Sequence, residues 1–210
     1  MKELPDLASS DPDKNPLLCE SVIDASLTEK GVDQCLKQQH VASKLKDVEL
    51  IVVSPLLRAI QTADITFEEF KARKDVKWML NEDIREELGL LMCNKRRSLP
   101  NILSEFPHFD SSLIEHEEDV VWDEHRARNM GDDGTPARES DAQMSARAYR
   151  FLEGFVATRK EKEIAVVGHS ALFHSMTNTV FDVDECDADL ITPMFAQAEI
   201  RSIELVFEEQ

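Results

Sequence analysis

Glu49-Leu50-Ile51-Val52-Val53-Ser54-Pro55-Leu56-Leu57-Arg58, continued by Ala59-Ile60-Gln61-Thr62-Ala63, changes character at one point. Up to Val53 it is an apolar, β-branched run, the pattern of a short strand buried on both faces in a parallel sheet. Ser54-Pro55 ends that run, and proline is tolerated in the first turn of a helix because the N–H it lacks has no partner there. The residues that follow predict a helix through Arg58 to about Phe70. A strand that hands over directly to a helix is the repeating unit of α/β folds. In open α/β sheets, ligands bind beyond the carboxyl ends of strands. Arg58 stands at such an end, where its fork of donors meets an anion that a helix N-terminus also favours.

The same alternation extends both ways. Upstream, Thr28 is a plausible N-cap, and Val32, Cys35, Leu36, Val41 and Leu45 largely follow helical spacing. Downstream, Val76-Lys77-Trp78-Met79-Leu80 predicts a second strand and Ile164-Ala165-Val166-Val167 a third. Gly168-His169-Ser170 then predicts a turn, with a helix over 171–180. From Ser140, the residues Met144, Ala148, Phe151, Leu152, Phe155 and Val156 share one helical face. Residues 199–207 alternate apolar and polar, as a strand with one wet face does. Together these predict a three-layer α/β/α sandwich with a mostly parallel sheet. Residues 1–26, with Pro5, Pro12 and Pro16, read as an extended segment, and 27–207 as one domain. Within it, 81–139 is irregular, with one short helix expected near 99–106. An insertion of that length in a compact domain is usually a lid or a binding element.

With 24 Lys and Arg against 42 Asp and Glu, the 210 residues carry a formal charge of −18. Residues 110–141 alone hold eleven acidic and three basic side chains. This balance opposes binding to nucleic acid, whose phosphates are held by clustered Lys and Arg, and to an anionic membrane surface. A small phosphorylated substrate or inorganic phosphate stays admissible, since a few arginines at one pocket outweigh a distant acidic face. Four cysteines without a CxxC suggest neither a zinc site nor a redox pair. The amino-terminal residues lack the apolar core of a signal peptide, and no stretch nears the length of a membrane span. The expectation is a cytoplasmic protein with no cofactor and no metal.

The string SPLLRAIQTA closely resembles the second signature of the histidine phosphatase, or phosphoglycerate-mutase-like, superfamily. Leu27-Thr28-Glu29-Lys30-Gly31 with Gln34 resembles that family's helix-opening LTxxGxxQ, and Ile164 to Ser170 the strand that delivers its second catalytic histidine. Glu86, in Ile84-Arg85-Glu86-Glu87-Leu88-Gly89, stands where the family keeps an acidic proton donor, and Cys93-Asn94-Lys95-Arg96-Arg97-Ser98 resembles a plant and fungal branch. The resemblance covers about residues 27–207. It implies chemistry on phosphate monoesters through a phosphohistidine, hydrolysis more than mutase activity, with no metal. It also implies roles: Arg58 clamps a phosphate oxygen, His169 binds and stabilises the transferring group, and Glu86, with Glu87 as fallback, is the general acid. Ser170 contributes a backbone N–H, and Arg96 and Arg97 are candidate substrate-binding residues.

One part of that pattern is not in the sequence. The family's nucleophile sits in an Arg-His-Gly or Arg-His-Ala triplet ending a first strand upstream of the LTxxG helix. The six histidines are His40, His108, His116, His125, His169 and His174, and none follows an arginine. His40 lies on the first helix, and residues 1–26 hold no β-branched run. The resemblance therefore implies a sheet lacking its first central strand. The expectation is a truncated or mis-started chain, or else a non-catalytic relative that binds phosphate or another protein. Gly168-His169-Ser170-Ala171-Leu172 also imitates the nucleophile elbow of serine hydrolases, with Ser170 as nucleophile, but Leu172 stands where the last glycine belongs and His174 follows too closely. The acidic insertion as the contact surface of an interaction module is the third reading.

Overall fold

The structure is a computed structural model describing residues 9, 11, 13–132, 134–181 and 193–207. Strand β1 (Leu50–Val53) pairs in parallel with β2 (Lys77–Leu80) on one side and β3 (Ile164–Val167) on the other, giving the order β2-β1-β3. In register, Leu50 lies opposite Lys77 and Ile164, and Val53 opposite Leu80 and Val167. The α-helices of the described residues are α1 (Glu29–Ala42), α2 (Leu57–Thr66), α3 (Leu99–Glu105), α4 (Val120–Arg128), α5 (Asp141–Tyr149) and α6 (Ser170–Ser175), the last two continued by π-helical segments Arg150–Phe155 and Met176–Val180.

All four side chains of β1 are buried, and they alternate between two cores. Ile51 and Val53 join Ala42 of α1, Ala59, Ile60 and Ala63 of α2, and Leu99 and Ile102 of α3. Leu50 and Val52 join Met144 and Ala148 of α5 and Leu172 of α6. Period-two side chains of one strand thus bind a helical layer to each face of the sheet, the three-layer arrangement expected. Helix starts follow local chemistry. Thr28 Oγ1 accepts the Gly31 N–H at 3.2 Å, and Ser140 with Gln143 forms a capping box. The N-terminus of α2 lacks a side-chain cap from Leu56; Asp24 Oδ1 supplies it from a distance in sequence, accepting the Leu57 N–H at 2.7 Å.

Four expectations are corrected. Residues 199–207 form no ladder. A strand needs a neighbour with aligned N–H and C=O groups, and among the described residues β3 pairs with β1 alone. Ile203, Leu205, Val206 and Phe207 are exposed there. The insertion holds a second helix, α4, hidden from periodicity because Trp122 is its one buried side chain. The helix after Pro55 stops at Thr66, and a 3-10 turn, Glu68–Ala72, completes the expected span. The N-terminal segment is less extended than its prolines suggest: Pro16–Leu18 and Glu20–Val22 are 3-10 turns, and Val22 and Ile23 pack on Leu88, Met92 and Trp122.

The insertion is fastened by buried charge. Arg85, with no exposed surface, donates from both terminal nitrogens to Asp119 at 2.6 and 2.7 Å and to Glu82 at 2.9 Å. Asp119 also accepts the N–H groups of Arg96 (2.6 Å) and Trp122 (3.1 Å), the latter capping α4. Residues just after β2 are thereby tied to Asp119 at the start of α4. Burial works against the Asp119 carboxylate, but Arg85 and the two N–H donors outweigh it and hold its pKa below 3.8. A depressed folded-state pKa means the stabilisation is present above the unfolded value and is lost as pH falls through the folded one. Asp119→Ala, which strands a buried guanidinium, is predicted to cost about 3–5 kcal/mol in urea unfolding. Arg128→Ala, which breaks the exposed pair with Glu124, should cost under about 1 kcal/mol. The parent should also lose more stability than Asp119→Ala on acidification below 3.8. Equal losses for the two variants contradict this assignment.

Candidate functional site

Because Val53 and Val167 lie opposite each other, β1 and β3 release their next residues at the same edge of the sheet. Ser54 and His169 meet there: His169 Nε2 lies 2.8 Å from Ser54 Oγ, both residues buried. The turn from β3 into α6 is tight at Gly168, where a Cβ would stand 3.0 Å from the Phe173 ring and 3.2 Å from the Ile84 carbonyl. Burial, then the charges of Arg58, Arg147 and Arg85, push the His169 pKa well below 6.5. Its ring is therefore neutral at physiological pH.

Arg58 sits in the first turn of α2, as expected. Two of its N–H groups are engaged, by the Cys93 carbonyl at 2.8 Å and Asn94 Oδ1 at 2.8 Å. A guanidinium has five such donors. Burial lowers its pKa, and the carboxylates of Glu86 and Asp24 oppose that loss. Glu86 follows the 3-10 turn Glu82–Ile84. Burial raises its pKa above 4.5, against the Glu87 N–H at 3.1 Å and the charges of Arg58 and Arg147. Glu87 is different: its carboxylate pairs outward with Arg138 at 2.8 Å. Of the two glutamates, Glu86 has the environment of a proton donor. The fold thus brings Arg58, Glu86 and His169 within one electrostatic neighbourhood.

Ser170 begins α6 and is half-buried, while His174 is exposed and hydrogen-bonds to Asn178 of its own helix. Arg96 does not join the cluster. Its Nε donates to Glu82, and its two terminal nitrogens to the carbonyls of Arg97, Glu117, His116 and Glu118. All five donors are used to shape the insertion, so none is left for a substrate, which corrects the expected substrate-binding role. Arg97 is salt-bridged to Glu105 at 2.6 Å, and its backbone N–H donates to Asp24 Oδ2 at 3.3 Å.

Sequence reasoning missed Ser54, Asp24, Asn94, Arg147 and Glu139 as parts of this region. Ser54 could have been flagged as a small polar residue closing a buried strand. Arg147 could have been flagged as a charge bordering an apolar helical stripe. Asp24 and Asn94 act through contacts distant in sequence and leave no local signal. A cavity of about 490 Å³ lies elsewhere, against the insertion, lined by Asn81, Asp83, Leu113, His116 and Arg150 among others. None of Arg58, Glu86 and His169 lines it.

Residues 13–206 match the sequence model of the histidine phosphatase superfamily (branch 1). Two proteins of Arabidopsis thaliana are similar over most of the chain. Phosphoglycerate mutase-like protein 1 is 34% identical, covering 87% of this chain and 71% of its own length. A second phosphoglycerate mutase-like protein is 33% identical over 89% of this chain and 75% of its own. Among solved structures, one described as mycobacterial hydrolase 2 superposes with a TM-score of 0.50 at 18% identity, covering 83% of this chain and 69% of that one. At that identity it bears on the fold alone. In ring-nitrogen NMR, His169 is predicted to titrate below 6.5 in the parent. A midpoint at or above that value contradicts the buried, arginine-flanked environment described.

Proposed function

Because this chain belongs to the histidine phosphatase superfamily, branch 1, we propose that Arg58, Glu86 and His169 form an oxyanion pocket for phosphate and phosphate monoesters. Among the described residues two N–H donors of Arg58 are engaged, leaving others in the planar fork to meet phosphoryl oxygens. A neutral His169 adds a ring N–H without adding charge. Glu86, whose burial favours the protonated form, can donate a hydrogen bond to an oxygen of the bound phosphate or ester. Ser170 presents its backbone N–H at the start of α6. The observation that carries this reading is the shared neighbourhood: Arg58 acts electrostatically on both Glu86 and His169 at the carboxyl ends of adjacent strands.

The family reaction passes through a phosphohistidine, and none of the six histidines here follows an arginine. We therefore assign these 210 residues phosphate binding without formation of that intermediate. In the family chemistry from which this pocket derives, hydrolysis of phosphate monoesters is favoured over a mutase transfer. Calorimetry with phosphate and orthovanadate tests the pocket. Arg58→Ala and His169→Ala should each weaken binding roughly tenfold or more, the scale of a lost charge-assisted hydrogen bond. p-Nitrophenyl phosphate should not be turned over, and no acid-labile phosphoprotein should form. Unchanged affinity in both variants contradicts the pocket; robust turnover contradicts the inactive assignment.

A further inference from the structure

Glu86 is aimed by its backbone. Among the described residues its carboxyl is held by one hydrogen bond, from the Glu87 N–H. Whatever fixes the chain from 83 to 88 therefore fixes the acid. Arg147, buried on α5, donates from one terminal nitrogen to the carbonyls of Asp83 and Arg85, both at 2.8 Å. Its other terminal nitrogen reaches the Glu86 carbonyl at 3.4 Å. The same guanidinium is gripped from the opposite side by Glu139, with Nε to Oε1 at 3.0 Å and the second terminal nitrogen to Oε2 at 2.6 Å. Glu139 in turn accepts the Leu88 N–H through its carboxylate (3.2 Å) and donates its own N–H to the Leu88 carbonyl (2.9 Å). The pair thus binds backbone groups on both sides of Glu86.

We propose that Arg147 and Glu139 are positioning residues that act through the 83–88 backbone to hold Glu86 over the oxyanion pocket. The proposal rests on the reading of Glu86 as that pocket's acid. The design needs arginine for a geometric reason. A guanidinium presents five donors in a fixed plane, enough to bind one carboxylate and three carbonyls at once, whereas an ammonium offers three donors at a single point. The carboxylate partner is needed too, because it cancels a buried positive charge that would otherwise favour ionisation of Glu86. Neither residue need touch a ligand.

A double-mutant cycle in phosphate binding tests this, run by calorimetry at a pH below the Glu86 midpoint, where its carboxyl donates to the ligand. Arg147→Lys keeps the charge and loses the fork. It should weaken binding roughly tenfold in the parent background, the scale of coupling between residues in one network. In the Glu86→Ala background the same substitution should change affinity less than about twofold, since there is no acid left to aim. Equal loss in both backgrounds overturns the proposal, because a merely structural role does not depend on Glu86. No loss in either background overturns it as well. If Arg147→Lys fails to fold, Glu139→Gln keeps an acceptor for Leu88 and replaces it in the same cycle. Failure of the underlying reading looks different: Glu86→Ala alone then leaves phosphate affinity unchanged.

Discussion

A buried guanidinium cannot stay in an apolar interior unless carboxylate and carbonyl oxygens meet most of its donors. The architecture around the strand ends follows from meeting that constraint twice. Arg85 satisfies it through Asp119 and Glu82, Arg147 through Glu139 and three carbonyls of the 83–86 segment. Asp119 and Glu139 lie late in the insertion, Arg85 just after β2 and Arg147 on α5, so neutralising these charges ties the insertion to its own start and to the helix that packs on the sheet. These polar bonds add to the apolar anchors of the segment, Leu99, Ile102, Phe109 and Ile114 in one core and Leu88, Met92 and Trp122 in another.

The electrostatics of the pocket are a consequence of that packing. Burial first, and then the charges of Arg58, Arg147 and Arg85, hold His169 neutral. Glu86 lies under two of the same charges, yet burial prevails and its carboxyl resists ionisation. The outcome differs from the global balance of the chain, whose −18 charge says little about a partly buried cluster flanked by three arginines. A strand-end cluster of cationic donors, with a neutral imidazole and a carboxyl whose ionisation burial opposes, fits the phosphate-binding role proposed for it.

What the sequence disclosed follows the range of the forces involved. Strands β1, β2 and β3 and the helices that follow Thr28, Pro55 and Ser140 were legible because each is a local pattern of apolar spacing and capping. Arg58 and His169 were legible because they end strands, and Glu86 through resemblance to a family. Helix α4 was not legible, since a lone buried tryptophan makes no stripe. Arg96 misled because charge in a loop looks the same whether its donors face solvent, substrate or the protein's own carbonyls. The 199–207 stretch misleads because its alternation is only partial and because pairing depends on a neighbour that no local pattern specifies. Asp24 and the Arg147–Glu139 pair join residues far apart in the chain, and only the fold reveals them.

The assignment of the strand-end cluster as a phosphoryl site is tested most directly by a crystal structure of the 210-residue chain soaked in phosphate. Phosphate bound between the Arg58 guanidinium and the His169 ring, with Glu86 facing one of its oxygens, is the predicted result. Phosphate seated instead on surface arginines such as Arg138, with Arg58 still turned to Cys93 and Asn94 and no density beside His169, contradicts it.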